Sequence, residues 1–438
     1  MNLLKPVFFI LKEYFANRQS NLKIILNKAL SGVKGSERNS ISRIVYGVVR
    51  KELLLSFIIK DHSERNIRQI DKDTLILLET GIFLLLFSSS YPSHAIVNEI
   101  INFANKRSKP FLNAILRKIS GNSEKIRSSI NEIKDRSIKY SISDVLIDNL
   151  KKLDNNLDNS LGYLDSEPLF HLRINKNITD LHKAEKILES ENIDFRTLTK
   201  TETFEVKKAG KIIRKLFSRN YFYFQNTGSQ AVSLIAAEFA GNKVLDCCAA
   251  PGTKSTTLNM RRPDLQILSS DINPGRIRMF KEFSASFQLS NIFIIASDIF
   301  YPPFKNDFDL ILLDAPCTSA GTLRKNPDLK LKISKDNILK NRTLQKQMVS
   351  SVLKWAKKGT YILYSVCSFI EDETEGVIKD IINENSSEDQ EISVSTVKIN
   401  KVLTELGFRI HKGDYGTYLL PDDNMNNDLF YISMLQKF

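Results

Sequence analysis

The chain has 438 residues, 42% of them apolar and 26% charged, which excludes wholesale disorder and fits two to four globular domains rather than one. The formal net charge is +13, and residues 1–120 hold 19 Lys and Arg against nine Asp and Glu. Such clustering makes a polyanion the expected partner, either nucleic acid or an anionic membrane surface, because basic groups that bind phosphates release condensed counterions. A solvated basic face is the plainer alternative.

The opening stretch, MNLLKPVFFILKEYF, has a short apolar core and no small-residue cleavage site before Lys12 and Glu13, so it does not read as an export signal. TLILLETGIFLLLF (74–87) is interrupted by Glu79 and falls short of the roughly 18 apolar residues of a membrane span. Both segments read as buried helices, and the chain as a cytoplasmic, membrane-free protein whose four cysteines stay reduced. Residues 1–125 keep helical spacing throughout, as in ISRIVYGVVRKELLLSFIIK (41–60), and are expected to form an all-α domain. SSSYPSH (88–94) separates two of its helices at Pro92.

From about 125 to 165 the chain is polar, and LKKLDNNLDNSLG reads as a helix end running into a linker loop. Short mixed segments follow, including LFHLRINKN (169–177) and the basic KKAGKIIRKLFSR (207–219); a small α+β subdomain over 126–236 fits them. After residue 240 apolar strands alternate with helices: KVLDCC, QILSSD, IFIIAS, DLILLD and TYILYSV. This rhythm predicts an α/β domain over 237–438 with a mainly parallel sheet covered on both faces and ligands at the carboxyl ends of the strands. Residues 385–394 read as a surface loop and DLFYISMLQKF as a last strand.

Chemistry concentrates at those strand ends. In VLDCCAAPGTKSTTL (244–258) small residues lead into a helix start that suits an anionic group. A P-loop is excluded, because Cys248 and Thr253 stand where GxxxxGK[ST] requires glycines. Asp271, 25 positions after Asp246, suits the two hydroxyls of a ribose, or it caps the helix NPGRIRMF. Asp298 would flank an adenine, or serve as a turn carboxylate beside Tyr301, Pro302 and Pro303. A zinc site is not expected, since Cys247, Cys248, Cys317 and Cys367 form no CxxC pair, and no histidine lies near these motifs.

Taken in order, VLDCCAAPGTK, SSDINPGR, ASDIF, LLDAPCTSAGTLRKNPD and YSVCSFIEDE closely resemble the motifs of the Nop/Sun family of S-adenosylmethionine-dependent RNA cytosine-5 methyltransferases. Two cysteines on neighbouring strand ends distinguish that family. GIFLLLFSSSYPSHAIVNEIINFANK and PFLNAILRK resemble the NusB-like helical domain of its bacterial RsmB-type branch. LRINK and YFYFQNTGSQ resemble the elements that lead into the methyltransferase domain. The resemblance covers nearly the whole chain. It implies a Rossmann-like class I methyltransferase domain behind a NusB-like domain, acting as a monomer on small-subunit (16S) ribosomal RNA, with no metal.

The resemblance also assigns roles. Carbon 5 of cytosine is a poor nucleophile until a thiolate has added to carbon 6, and the resemblance makes Cys367 that thiolate. Cys317 would assist proton removal and enzyme release, Asp314 would grip the base edge, and Lys254 would help position the reacting nucleotide and that aspartate. S-adenosylmethionine contacts carry over to Cys248, Ala249, Ala250, Pro251, Gly252, Thr253 and Lys254, to Asp271 and Asp298, and to Asp314 near the methionine end. Cys247 has no counterpart role and reads as core. RNA would be held by the basic N-terminal domain, by KKAGKIIRKLFSR, and by Arg173, Arg324 and Lys325. The sequence departs from the family pattern at Thr253, Val366, Leu429, Asn226, Glu371 and Thr374. Thr253 matters most, because a side chain there narrows the cofactor loop. A non-catalytic RNA-binding or assembly factor, and the same chemistry on transfer RNA, are the alternative readings.

Overall fold

The computed structural model describes residues 3–33, 35–63, 65–207, 211–304, 307–385 and 392–438, with backbone alone at 211–214. The chain divides into two compact units, Met1–Asp148 with Asn326–Ile333, and Asn149–Lys325 with Ser334–Phe438.

The first unit is helical, as its apolar spacing predicts, with helices from Leu4–Ala16 to Lys109–Gly121 packed on one core. Its centre is Lys72–Phe87, which is buried on nearly every side from Thr74 to Leu86, as an all-round apolar helix must be. Asp71 caps it by accepting the Thr74 amide at 3.0 Å. The helix ends before Ser88, and the next begins at Ser93 after Pro92, so the predicted break is present. Lys330 and Lys332, which the sequence set beside the methyltransferase motifs, belong to this unit. Their ammonium groups donate to the Tyr140 carbonyl at 2.9 Å and the Ser20 carbonyl at 2.8 Å. No helix among the described residues is long and apolar enough to cross a membrane.

The expected linker loop is instead helical. Ser123–Glu132, Arg136–Tyr140, Asp144–Leu153 and Leu157–Asp165 follow one another. In the last of these Leu157, Leu161 and Leu164 recur at helical spacing and are buried together with Tyr163. Four apolar residues on one face outweigh the polar stretch that suggested a loop.

In the second unit β1 (Phe170–Ile174), β2 (Phe195–Leu198), β3 (Thr203–Val206) and β4 (Phe222–Phe224) form an antiparallel sheet in the order β2-β3-β1-β4. The main sheet follows, with β5 (Lys243–Asp246), β6 (Gln266–Asp271), β7 (Ile292–Ala296), β8 (Leu310–Asp314) and β9 (Tyr361–Val366) parallel. It is completed by β10 (Ile392–Val394), β11 (Ile410–Lys412), β12 (Thr417–Leu419) and β13 (Tyr431–Lys437). The order is β11-β12-β13-β9-β8-β5-β6-β7, with β10 paired to β13. Strand β13 is the last strand that DLFYISMLQKF predicted, and it runs antiparallel to β9. Of the loop expected at 385–394, residues 386–391 lie outside the described residues, while 392–394 are strand β10.

Alternate residues of the parallel strands feed two cores. Leu245, Ile311, Leu313, Ile362 and Tyr364 pack with helices Lys335–Trp355 and Glu375–Asn385. Val244, Leu310, Leu312 and Leu363 pack with Thr227–Phe239 and Val397–Leu406. Burial on both faces explains why these strands read as unbroken apolar runs. The order reverses between β5 and β8, which opens the crevice at their carboxyl ends.

Candidate active site

Strand β5 ends in Asp246, and the chain turns at once through Cys247 to Gly252 into the helix Thr253–Arg261. Gly252 makes the turn at φ 99°, where an added Cβ would stand 2.1 Å from the Phe280 ring, so no other residue fits. Thr253 is the first helical residue and stays out of the left-handed region. The loop is tied to the end of β6: the Ala249 amide donates to the Ser270 carbonyl at 2.9 Å, and the Ala250 amide to Asp271 Oδ2 at 3.2 Å. Asp271 Oδ1 also accepts the Asn273 amide at 2.9 Å. It is Asn273 that caps the following helix, by accepting the Arg276 amide at 3.0 Å. Asp298 stands just past β7 and accepts the Phe300 amide at 2.9 Å, while the neighbouring Ser297 amide donates to the Asp271 carbonyl at 3.1 Å.

Lys254, on the first turn of its helix, bonds Asp314 Oδ2 at 2.6 Å, and Ser365 Oγ donates to Asp314 Oδ1 at 2.8 Å. Burial alone would pull the Lys254 ammonium down, but Asp314 more than offsets it and holds the group above its ordinary value. Both carboxylate oxygens are thus oriented from β5's following helix and from β9, at the tip of β8.

The thiols of Cys317 and Cys367 touch, with their sulfurs 3.4 Å apart. Cys367 Sγ is also 3.5 Å from Ser319 Oγ, and Ser319 sits at φ 59°, in the left-handed region. The loops carrying these groups are joined by the Gly321 amide, which donates to the Cys367 carbonyl at 2.9 Å. Leu429 closes the same edge, its amide donating to the Gly321 carbonyl at 3.0 Å; a Cβ on Gly321 would meet the Leu429 oxygen at 1.9 Å. The hydrogen bond from Cys317 holds the Cys367 thiol below its ordinary value despite burial, with Ser319 and Lys254 adding to the effect. Donating that bond, burial and the nearby Glu373 carboxylate push Cys317 up.

The structure therefore gathers Lys254, Asp314, Cys317 and Cys367 in one cluster, and Cys248–Lys254 with Asp271 and Asp298 along the adjoining strand ends. Cys247 is buried in the core on one face of the sheet, as expected, and burial raises its thiol. Cys248 is likewise raised by burial. Among the described residues no group of three or more His, Cys, Asp or Glu is arranged to hold a metal ion.

Two of the expected RNA contacts are overturned. Arg173 is 1% exposed, and its guanidinium donates to Gln230 Oε1 at 2.7 Å. Arg324 is 6% exposed, donates to the Glu167 carbonyl at 2.9 Å and lies 4.2 Å over the Tyr163 ring. Both brace the fold. Lys325 pairs with Asp428 at 2.5 Å and remains partly exposed. Of KKAGKIIRKLFSR, residues 208–210 and the side chains of 211–214 lie outside the described residues; beyond them Lys215 pairs with Glu191 at 3.3 Å and Phe217 stacks on Phe224.

Four further groups stand at the site that the motifs do not single out. Ser365, two residues before Cys367, orients Asp314. Glu373 accepts hydrogen bonds from the Thr318 amide, the Thr318 hydroxyl and the Ser368 hydroxyl, at 2.7, 2.5 and 2.6 Å. Ser319 adjoins the nucleophile candidate. Asp246 is 1% exposed and accepts Ser255 Oγ at 2.6 Å through Oδ2, while its Oδ1 has no hydrogen-bond partner among the described residues. Burial pushes Asp246 up to about 7, with the charge of Asp314 adding to it, against the Ser255 bond, the Lys254 charge and the Cys248 backbone amide. A run of small hydroxyl residues around the cysteines was the available signal.

A doubly wound, mainly parallel sheet, with acids at successive strand ends and two thiols in contact, defines a Rossmann-like domain whose candidate site lies in the crevice at those ends. Comparison with known proteins gives the particular family. Residues 234–436 match the family described as 16S rRNA methyltransferase RsmB/F, and residues 5–121 match the NusB family. The chain thus carries a NusB-family domain followed by a methyltransferase domain of the RsmB/F family. It is 26% identical over 420 residues to a protein of Coxiella burnetii named probable ribosomal RNA small subunit methyltransferase B, covering 93% of this chain and 94% of that one. It is also 26% identical over 426 residues to ribosomal RNA small subunit methyltransferase B of Pasteurella multocida, covering 92% and 89%. The fold matches the crystal structure of PH0851 with a TM-score of 0.72 at 19% identity, over 98% of this chain and 97% of that one.

Proposed function

We propose that this protein methylates carbon 5 of a cytosine in 16S ribosomal RNA with S-adenosylmethionine, through a covalent bond between Cys367 and carbon 6. The observation that carries the reading is the pair of touching thiols, 3.4 Å apart, beside the bonded Lys254 and Asp314. The names of the Coxiella and Pasteurella relatives support small-subunit RNA as the substrate.

The residues suit the cofactor. Asp271 and Asp298 offer acceptors along the crevice, the loop Cys248–Lys254 offers amides, and the unpartnered Oδ1 of Asp246 is an acceptor for a cationic group such as the methionine ammonium. Asp314 borders the methionine end. When bound, S-adenosylmethionine supplies an electrophilic methyl group.

Cys367 Sγ, held as the more acidic thiol, adds to carbon 6 and forms the S–C6 bond, while the displaced electron pair makes carbon 5 nucleophilic. Asp314 hydrogen-bonds the base at N3 and the exocyclic amine and stabilises the charge that develops in the ring. Lys254 and Ser365 hold that carboxylate in place. Once carbon 5 carries the methyl group, a solvent base takes its proton, the C5–H pair re-forms the C5–C6 double bond, the S–C6 bond breaks with its electron pair returning to Cys367 Sγ, and Cys317 assists this release. The target cytosine must be single-stranded or flipped out, because sulfur attacks the face of the ring.

In this reading residues 1–125 hold RNA through surface Lys and Arg, 126–236 connect, and 237–438 catalyse, in a cytoplasmic monomer. The test is methyl transfer from labelled S-adenosylmethionine to small-subunit RNA from a strain lacking the gene, with bisulfite maps of ribosomal and transfer RNA. Label at one 16S cytosine, lost with Cys367→Ala, supports the proposal. Label in transfer RNA alone moves the substrate. RNA binding with no cofactor affinity by calorimetry overturns catalysis in favour of an assembly factor.

A further inference from the structure

Glu373 is fully buried, yet it belongs to no part of the chemistry described above. Its carboxylate takes the Thr318 amide and hydroxyl from the loop that carries Cys317, and the Ser368 hydroxyl from the loop that carries Cys367. Its own carbonyl accepts the Tyr364 hydroxyl at 2.7 Å, which anchors it to β9. One side chain therefore ties together the residues that directly follow the two thiols. Such a clamp sets the distance over which they can share a hydrogen bond, and a misplacement of about 1 Å is costly in a reacting pair.

The clamp is also asymmetric in charge. Glu373 acts on Cys317 and disfavours a thiolate there, whereas on Cys367 the bond with Cys317, together with Ser319 and Lys254, outweighs burial and the Asp314 charge, which disfavour one. A carboxylate near one member of a pair that shares a proton moves the proton toward that member.

We propose that Glu373 is the positioning residue that decides which of the two thiols is the nucleophile: it clamps the Thr318 and Ser368 loops together and sets its carboxylate toward the Cys317 loop, which supplies two of these three hydrogen bonds. This rests on the reading of Cys367 as the covalent residue. No bond to the substrate is made by Glu373 itself.

The experiment is pH-dependent alkylation of the full-length protein by iodoacetamide, with each cysteine followed by mass spectrometry. In the unaltered protein Cys367 is alkylated ahead of Cys317 and with the lower midpoint; the reverse order overturns the proposal without any variant. Glu373→Gln keeps an acceptor for the Thr318 amide and can donate to the hydroxyls, but carries no charge. The preference for Cys367 then falls roughly tenfold, a change of about one pH unit between the midpoints. Glu373→Asp keeps the charge and restores most of the preference while lowering turnover through the shortened clamp. An unchanged preference in Glu373→Gln overturns the role of Glu373. If Glu373→Gln fails to fold, the Glu373→Asp preference and the order of alkylation in the unaltered protein decide. The underlying reading is scored separately, by the covalent RNA adduct that accumulates with Cys317→Ala: an adduct absent there but present with Cys367→Ala overturns the assignment of the nucleophile, whatever the alkylation shows.

Discussion

The helical unit and the parallel sheet each bury a carboxyl group, and comparing the two shows what distinguishes a site from a core. Glu79 is 3% exposed and Asp246 is 1% exposed. Burial pushes the first up to about 8, with Glu52 adding to it, and the second up to about 7. Each accepts a bond from one serine hydroxyl, Ser56 at 3.3 Å and Ser255 at 2.6 Å. The physics of the two shifts is the same. Their surroundings differ, because Glu79 lies in a buried apolar helix near the paired Glu52 and Arg18, whereas Asp246 keeps an unused acceptor at a strand end beside Lys254 and Asp314. A perturbed acid is therefore a weak marker of function by itself, and the company it keeps decides.

The largest effect expected from this contrast is on rate. Asp314→Asn keeps the shape and the bond from Ser365 but loses the charge that grips the base and holds Lys254, and kcat should fall about 1000-fold. Glu79→Gln, in the helical core, should leave kcat within about twofold. Single-turnover methylation measures both, and equal losses would erase the distinction between the two acids.

The sequence made the architecture legible where one physical rule dominated. Apolar runs such as LILLD gave the parallel strands because both faces are covered, and the helix 72–87 was visible because nearly every position is apolar. The cluster of Lys254, Asp314, Cys317 and Cys367 was legible through motifs. Three-dimensional partnership was not. Arg173 and Arg324 looked like phosphate ligands because a sequence cannot show that Gln230, Glu167 and Tyr163 already engage them. Leu157–Asp165 was hidden by the polar stretch LKKLDNNLDNSLG that runs into it. Glu373 stands at the end of the motif YSVCSFIEDE, and the sequence alone does not show that hydroxyl donors from two loops bury it.

The next effect is on stability. The native state holds the Glu79 proton until about pH 8, while the unfolded chain releases it near the ordinary value of 4.5. The native state binds the extra proton across that window, so stability is greatest at its acid end and falls as pH rises toward 8. Between about pH 6 and about pH 8 the loss should be about 2 kcal/mol. Calorimetric melts should show the helical unit's transition moving down over that range, and Glu79→Gln should flatten the dependence. A slope that survives the substitution would assign it to another group.

The smallest expected effect separates the two acids most sharply. Glu79 has no ligand to receive, so its ionisation should leave cofactor affinity untouched. Asp246 Oδ1 offers its free acceptor best when ionised, and burial holds the group up to about 7. Cofactor affinity should therefore rise as pH increases from about 6 to about 8, the direction in which the carboxylate forms. Asp246→Asn keeps the size and a neutral acceptor but cannot ionise, and Kd should weaken roughly tenfold, the scale of one hydrogen bond to a charged group. Its affinity should also be flat with pH over the same range, a signature that a merely destabilised loop would not give. Calorimetric titration of the full-length protein with S-adenosylmethionine at several pH values measures both quantities. If the variant binds as tightly as the unaltered protein, with the same pH dependence, then the unpartnered oxygen of Asp246 is as structural as the carboxyl of Glu79.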